Sequence, residues 1–129
     1  KITYSQLVER GEEYTKEFLQ FLHELPFFYK ITVNDKKFFL CHAKPVFYQG
    51  MTFDECVSEA IRNGDIVWDR YFFDEHLDTE YTIIHGHTPM EHIHSYCYGQ
   101  AYNIDCGCAV AARLGCLRLE DMKEFYVHC

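Results

Sequence analysis

The stretch Tyr81-Thr82-Ile83-Ile84-His85-Gly86-His87-Thr88-Pro89 reads as an apolar β-strand that runs straight into a turn. Its aromatic and β-branched residues suit a buried pleated surface, and the glycine and proline that follow end it. An earlier stretch repeats the arrangement. Phe28, Ile31 and Val33 lead through the polar turn Asn34-Asp35-Lys36 into Phe38-Phe39-Leu40-Cys41, which predicts a β-hairpin whose second strand ends at His42. Two strands thus each deliver a histidine at the exit. A buried strand fixes the direction of its backbone, so a side chain at its end can be held to narrow geometry while facing a cleft. A neutral imidazole in such a place suits Zn, Fe, Ni or Mn, usually with its other N–H given to an acceptor behind it.

Toward the N-terminus Leu7, Tyr14, Phe18, Phe21, Leu22 and Leu25 recur at near-helical spacing until Pro26 stops the pattern. This predicts an amphipathic helix over roughly residues 4 to 24, with the apolar face in the core. Between the two strand–histidine units, Thr52 with Glu55 three residues on forms a capping-box pattern. It predicts a helix to about Asn63, stopped by Gly64. Beyond His87 a pair of strands is expected at about residues 93–98 and 101–105. Two more are expected from Gly115 to Leu119 and from Phe125 to His128, with Glu120-Asp121-Met122-Lys123 between them. No repeat, low-complexity tract or linker marks a domain boundary.

The 129 residues, 48% hydrophobic and 17% aromatic, can bury one modest core. A formal charge of −8 argues against nucleic acid or any other bulk polyanion as partner. It leaves room for a small phosphorylated group at a site where a metal ion or an arginine dominates the local field. No apolar run approaches the ~18 residues needed to span a bilayer. The first residue is Lys1 and no charged-then-apolar leader precedes a small-residue cleavage site, so nothing resembles a secretory signal; a cytoplasmic location is the expectation. Seven cysteines, at 41, 56, 97, 106, 108, 116 and 129, are odd in number, and Cys106 and Cys108 are too close for a Cys-x-x-Cys pair. They read as thiols in a reducing compartment rather than as a disulfide scaffold.

Four segments carry more than their composition. They are Phe38-Phe39-Leu40-Cys41-His42-Ala43, then Asp65-Ile66-Val67-Trp68-Asp69-Arg70, then Ile83-Ile84-His85-Gly86-His87-Thr88-Pro89. The fourth is Tyr102-Asn103-Ile104-Asp105-Cys106-Gly107-Cys108 with Arg113-Leu114-Gly115-Cys116-Leu117-Arg118-Leu119. In this order they resemble segments of the calcineurin-like metallophosphoesterases, in the bacterial branch that holds serine/threonine phosphatases and diadenosine tetraphosphatases.

The resemblance implies an α/β fold, with residues 1–129 as the C-terminal part of a single αββα sandwich domain. It implies two divalent ions about 3.5–4 Å apart, manganese first with iron, zinc or nickel as alternatives, sharing a hydroxide that attacks phosphorus in line. His42 and His87 would both coordinate the second ion, and Arg70 would clamp phosphate oxygens through its planar fork. The implied substrate is a phosphoserine or phosphothreonine protein, with a symmetrical dinucleoside tetraphosphate as the alternative. No membrane or nucleic-acid partner is implied.

Other readings sit beside these. Arg70 could make a structural ion pair, and His85 could support the site from behind or be structural. His92 and His94 share a strand face but have no Cys or third His at structural-zinc spacing; a zinc domain built on His85 to His94 is the weaker alternative. Asp105 reads as fixing the turn before Gly107. Lys44 stands where the family has glycine, which puts a cation near the pocket mouth, and Cys106 stands where many relatives have threonine.

The family's Asp-x-His, Gly-Asp-x-x-Asp-Arg and Gly-Asn-His-Glu segments do not occur. The implied carboxylates, first-ion ligands and general acid are therefore expected upstream in a longer chain. These residues alone are expected to be inactive toward p-nitrophenyl phosphate with Mn²⁺. An oligomer formed through the surface left by the missing half, or a non-catalytic binding module, is the remaining expectation.

Overall fold

Phe38 and Phe39 are neighbours in one strand, so their side chains point to opposite faces, yet both are fully buried. A strand with these residues must be covered on both sides. The computed structural model describes residues 2–72 and 74–128. The readings of Lys1 and of Cys129 fall outside the described residues.

The strand in question, β2 (Lys36–Cys41), pairs antiparallel with β1 (Phe28–Val33) through Asn34 and Asp35. Their φ values of 47° and 61° are the left-handed pair that a two-residue hairpin turn needs. On its other edge β2 pairs in parallel with β3 (Tyr81–His85), placing Phe39 beside Ile83 and Leu40 beside Ile84. Next comes β5 (Ala101–Asn103), parallel to β3, closed by the antiparallel β4 (His94–Tyr96). The sheet order is β1-β2-β3-β5-β4.

Parallel neighbours need a crossover, and the one from β2 to β3 contains α3 (Phe53–Asn63) and the single turn α4 (Asp65–Trp68). Thr52 caps α3: its hydroxyl accepts from the Glu55 N–H while the Glu55 carboxylate accepts from the Thr52 N–H at 2.7 Å. Gly64, at φ 87°, ends the helix as expected. Phe53, Val57 and Ala60 of α3 pack on Phe39, Ile83, Tyr96 and Ala101, which is the main core. Thr52→Ala is expected to cost about 1 kcal/mol. Thermal unfolding should show it as a drop of a few degrees, and an unchanged midpoint would count against the cap.

The other face of the sheet is approached by a second, two-stranded sheet, β6 (Arg113–Arg118) paired with β7 (Lys123–His128). It follows the one-turn helix α5 (Cys108–Ala111). Gly115 seats this hairpin. A β-carbon there would lie 2.6 Å from Cys106 Sγ and 3.2 Å from the Ile104 carbonyl oxygen, so only glycine lets β6 come so near. The Tyr126 hydroxyl accepts the Ile93 N–H at 3.1 Å and adds a second tie. The result is a mixed α/β architecture, as the sequence predicts.

The N-terminal expectation needs correction twice. Two helices, α1 (Ile2–Arg10) and α2 (Glu12–Glu24), replace the single one, because Gly11 at φ 90° and ψ 172° leaves the helical region. The apolar face is also not in the core. Helix α2 contains no buried residue, and Leu19, Phe21, Leu22 and Leu25 remain exposed. Periodicity decides which residues share a face, but the surface that the face would pack on must come from elsewhere.

No described helix is long and apolar enough to cross a membrane. Cys41, Cys56, Cys106 and Cys116 are free thiols. Burial pushes the Cys41 thiol up to about 12, so it behaves as a small apolar side chain rather than a nucleophile.

Candidate metal centre

Strands β2 and β3 run in the same direction, so the residues after them emerge side by side. The Gly86 N–H donates to the His42 carbonyl at 2.9 Å and holds the two exits together. His42 Nε2 lies 2.9 Å from His87 Nδ1, although the two residues are 45 positions apart in sequence. The sequence-predicted ligand pair is thus assembled.

That separation has a specific chemical meaning. Two imidazole nitrogens bound cis to one ion, each at about 2.1 Å and at about 90°, lie about 3 Å apart. The same separation is a normal N–H···N hydrogen bond, in which one ring donates and the other accepts. The distance alone is thus compatible both with a shared ion and with a hydrogen bond between the two rings.

His87 is half-buried, and its backbone is left-handed, at φ 72°. A residue with a β-carbon is rare in that region, so the loop must be held from outside. Desolvation lowers the His87 pKa, and the Arg70 guanidinium and the His42 ring push the same way. The Trp68 backbone and Asp105 oppose them, although Nε2 is shut off from solvent without a hydrogen bond of normal geometry. A ring kept neutral presents the lone pair that a metal requires. Trp68, the only tryptophan, meets the His87 ring edge-on, with centroids 5.9 Å apart.

Arg70 is exposed, and its charge reaches His87. Among the described residues no ion pair to Arg70 occurs, so the structural alternative for it gains no support. The imidazole pair sits beside a cleft of about 520 Å³. Leu40, Ile84 and Ile104 line one wall and Leu114, Leu117 and Leu119 of the β6–β7 hairpin the other.

The remaining histidines fall elsewhere. His85 is 4% exposed, with Nδ1 against the Gly86 carbonyl at 3.1 Å and Nε2 against the Tyr96 hydroxyl at 2.6 Å. Burial is the main cause that lowers its pKa to about 4, and the Lys44 charge adds to it. With a neutral ring, Nδ1–H donates to the carbonyl and the tyrosine O–H donates to Nε2. His92 meets Arg113 at 3.2 Å, and His94 stacks on Tyr96. Among the described residues no group of three or more His, Cys, Asp or Glu gathers as a metal cage would require.

Two further sequence readings resolve here. Asp105 Oδ1 accepts the Gly107 N–H at 2.9 Å, so it does fix the turn. Lys44 does not stand at a pocket mouth: it is 3% exposed, with its ammonium 5.2 Å from the Phe47 ring centroid and 5.9 Å from that of Tyr96. Its four-carbon stem reaches into the aromatic layer under β2, where the ring faces receive the charge.

The sequence reading passed over Asn103. It is fully buried, and its Nδ2–H donates to the Thr88 carbonyl at 2.7 Å while its Oδ1 accepts the Asp105 N–H at 3.1 Å. The signal was an asparagine inside the strand run Ala101-Tyr102-Asn103-Ile104, where that residue type is disfavoured unless its amide is employed. No family model and no curated protein matches the chain.

Proposed function

We propose that this chain supplies one side of the dinuclear metal site of a phosphoric ester hydrolase of the serine/threonine protein phosphatase type. The observation that carries the reading is the meeting of His42 and His87 at the ends of parallel strands, with nitrogens 2.9 Å apart. Arg70 adds a guanidinium whose charge is felt at His87. The finer fold belongs to the same proposal: α3, the main sheet and the β6–β7 hairpin would be three layers of an αββα sandwich.

In this reading His42 and His87 hold one divalent ion, manganese first, with iron, zinc or nickel able to replace it. Carboxylates on a segment outside these residues complete that ion's shell and bind its neighbour. The ions supply Lewis acidity and a nucleophile at neutral pH. Arg70 binds and orients the phosphoryl oxygens, and the apolar walls of the cleft flank the imidazole pair. The substrate is a phosphoprotein, with a dinucleoside tetraphosphate as the alternative within the same chemistry. The compartment proposed is the cytoplasm.

Co²⁺ titration of this chain, followed by Trp68 fluorescence, tests the site. Quenching should saturate in the wild-type chain and vanish in both His42→Ala and His87→Ala. Undiminished metal binding in the double variant would sink the reading and favour a site between His85 and His94.

A second reading has its own observation. Exposed Leu19, Phe21 and Leu22 on α2, with Leu25 just past its end, suit a binding module that docks another surface. Light scattering separates the two, since a strictly monomeric chain at high concentration argues against a module that self-associates.

A further inference from the structure

Strand β5 is only three residues long, yet each end of it is marked by an amide that clamps a loop flanking β3. At the start, Gln100 Oε1 accepts the Leu77 N–H at 2.9 Å, and its Nε2–H donates to the Leu77 carbonyl at 3.0 Å. That fastens the segment entering β3. At the end, Asn103 reaches the Thr88 carbonyl and the Asp105 N–H, which fastens the segment leaving it. The partners leave the Asn103 amide no choice of orientation, because a carbonyl only accepts and an N–H only donates.

Thr88 directly follows His87, the residue held in a left-handed backbone. A buried amide in a strand costs free energy unless both of its ends are satisfied. Here both ends are satisfied, and one of them is spent on the loop that aims the His87 ring. The flanking backbone is tied as well: Ile104 N–H donates to the His85 carbonyl at 2.8 Å, and Met90 N–H to the Asp105 carbonyl at 2.9 Å. The span between those two ties includes His87, and the Asn103 side chain is what grips it.

We infer that Asn103 is a positioning residue for the metal centre, holding the left-handed loop at His87 so that Nδ1 faces His42 Nε2. This deepens the metal-site reading and rests on it. An imidazole held at a fixed angle binds an ion without first losing its rotational freedom, and groups behind a ligand are typically worth ten- to a hundredfold, roughly, in metal affinity.

The test compares Asn103→Ser, Asn103→Ala and Gln100→Ala in this chain. Serine retains an oxygen able to accept the Asp105 N–H but is too short to reach Thr88, so it removes one bond at least disturbance. Gln100→Ala removes a clamp of the same kind away from the histidine pair. The first readout needs no metal: long-range ¹H–¹⁵N spectra of the His87 ring. In the wild-type chain the two ring nitrogens should show separate protonated and unprotonated shifts; in Asn103→Ser they should move toward averaged values. The second readout is Co²⁺ affinity, expected to fall about tenfold or more in Asn103→Ser and to stay within about twofold in Gln100→Ala.

If Asn103→Ala fails to fold, Asn103→Ser decides. Separate His87 shifts and full Co²⁺ affinity in folded Asn103→Ser would overturn the role of Asn103. So would equal losses in Gln100→Ala, which would mean general loosening. A wild-type chain in which even millimolar Co²⁺ leaves the His42 and His87 ring resonances unchanged overturns the metal reading instead, and the metal-free His87 spectrum still decides on Asn103.

Discussion

Phe39→Ala is expected to remove about 3–5 kcal/mol of folding stability. The ring is fully buried and is stacked on Phe28 at a centroid distance of 4.7 Å. It meets Phe53 edge-on at 5.1 Å and Tyr81 at 6.4 Å. Truncation would therefore open a cavity shared by β1, β3 and α3, three elements whose backbones are fixed by other contacts and cannot collapse into it. A domain of this size has a net stability of only about 5–15 kcal/mol, so the variant should be marginal at room temperature. Urea unfolding measures the loss. Tyr29→Ala, on the exposed side of β1, is the comparison and should cost about 0.5 kcal/mol or less. A Phe39→Ala loss under about 1.5 kcal/mol would show that the aromatic layer is not the centre of the core.

The second large effect is acid destabilisation through His85. Its folded-state pKa is lowered to about 4, against about 6.5 in the unfolded chain. Above pH 6.5 the ring is neutral in both states and its contribution is fully present. As the pH falls below 6.5 the unfolded chain takes up a proton that the folded chain refuses, and stability drops until the folded ring also titrates near pH 4. Two and a half pH units correspond to about 3 kcal/mol lost across that window. Thermal midpoints between pH 7 and 4 should trace the loss, and His85→Gln should flatten it. A wild-type curve as flat as that of the variant would mean that the ring is not held neutral. The Tyr96 hydroxyl donates to Nε2, so Tyr96→Phe should weaken the preference for the neutral ring without changing its sign.

These effects arise where local pattern and tertiary environment agree, which is also where the sequence could be read. Thr52 and Glu55 announce a helix start because a capping box is closed within four residues. Asn34 and Asp35 announce a hairpin because left-handed turn chemistry is equally local. His42 and His87 were legible because each follows an apolar run that can only be a strand. Their distance was not legible, since it depends on β2 and β3 being parallel and adjacent. Lys44 misled because a lysine is read as solvated, whereas this one lies over the Phe47 and Tyr96 rings, which sequence order keeps apart. His85 has the same residue type as His87 two positions on, yet one ring is locked into the core and the other faces His42. That difference rests on Tyr96 and on the turn of the chain at Gly86. Helix α2 shows the converse case, with a clear apolar stripe and no buried residue.

The parallel pairing of β2 with β3 also orders events in time. The β1–β2 and β6–β7 hairpins join residues close in sequence and can form within microseconds, roughly. Joining β2 to β3 must wait until the crossover containing α3 has closed, which is slower because so much chain must be confined first. His42 and His87 meet only when that slow step is complete, because each is the residue at or just past the end of one of these strands. If the pair holds an ion as proposed, that ion can recognise only the finished chain. It would act chiefly by slowing escape from the folded state rather than by hastening arrival, so added metal should lengthen the lifetime of the native chain and leave its refolding rate almost unchanged.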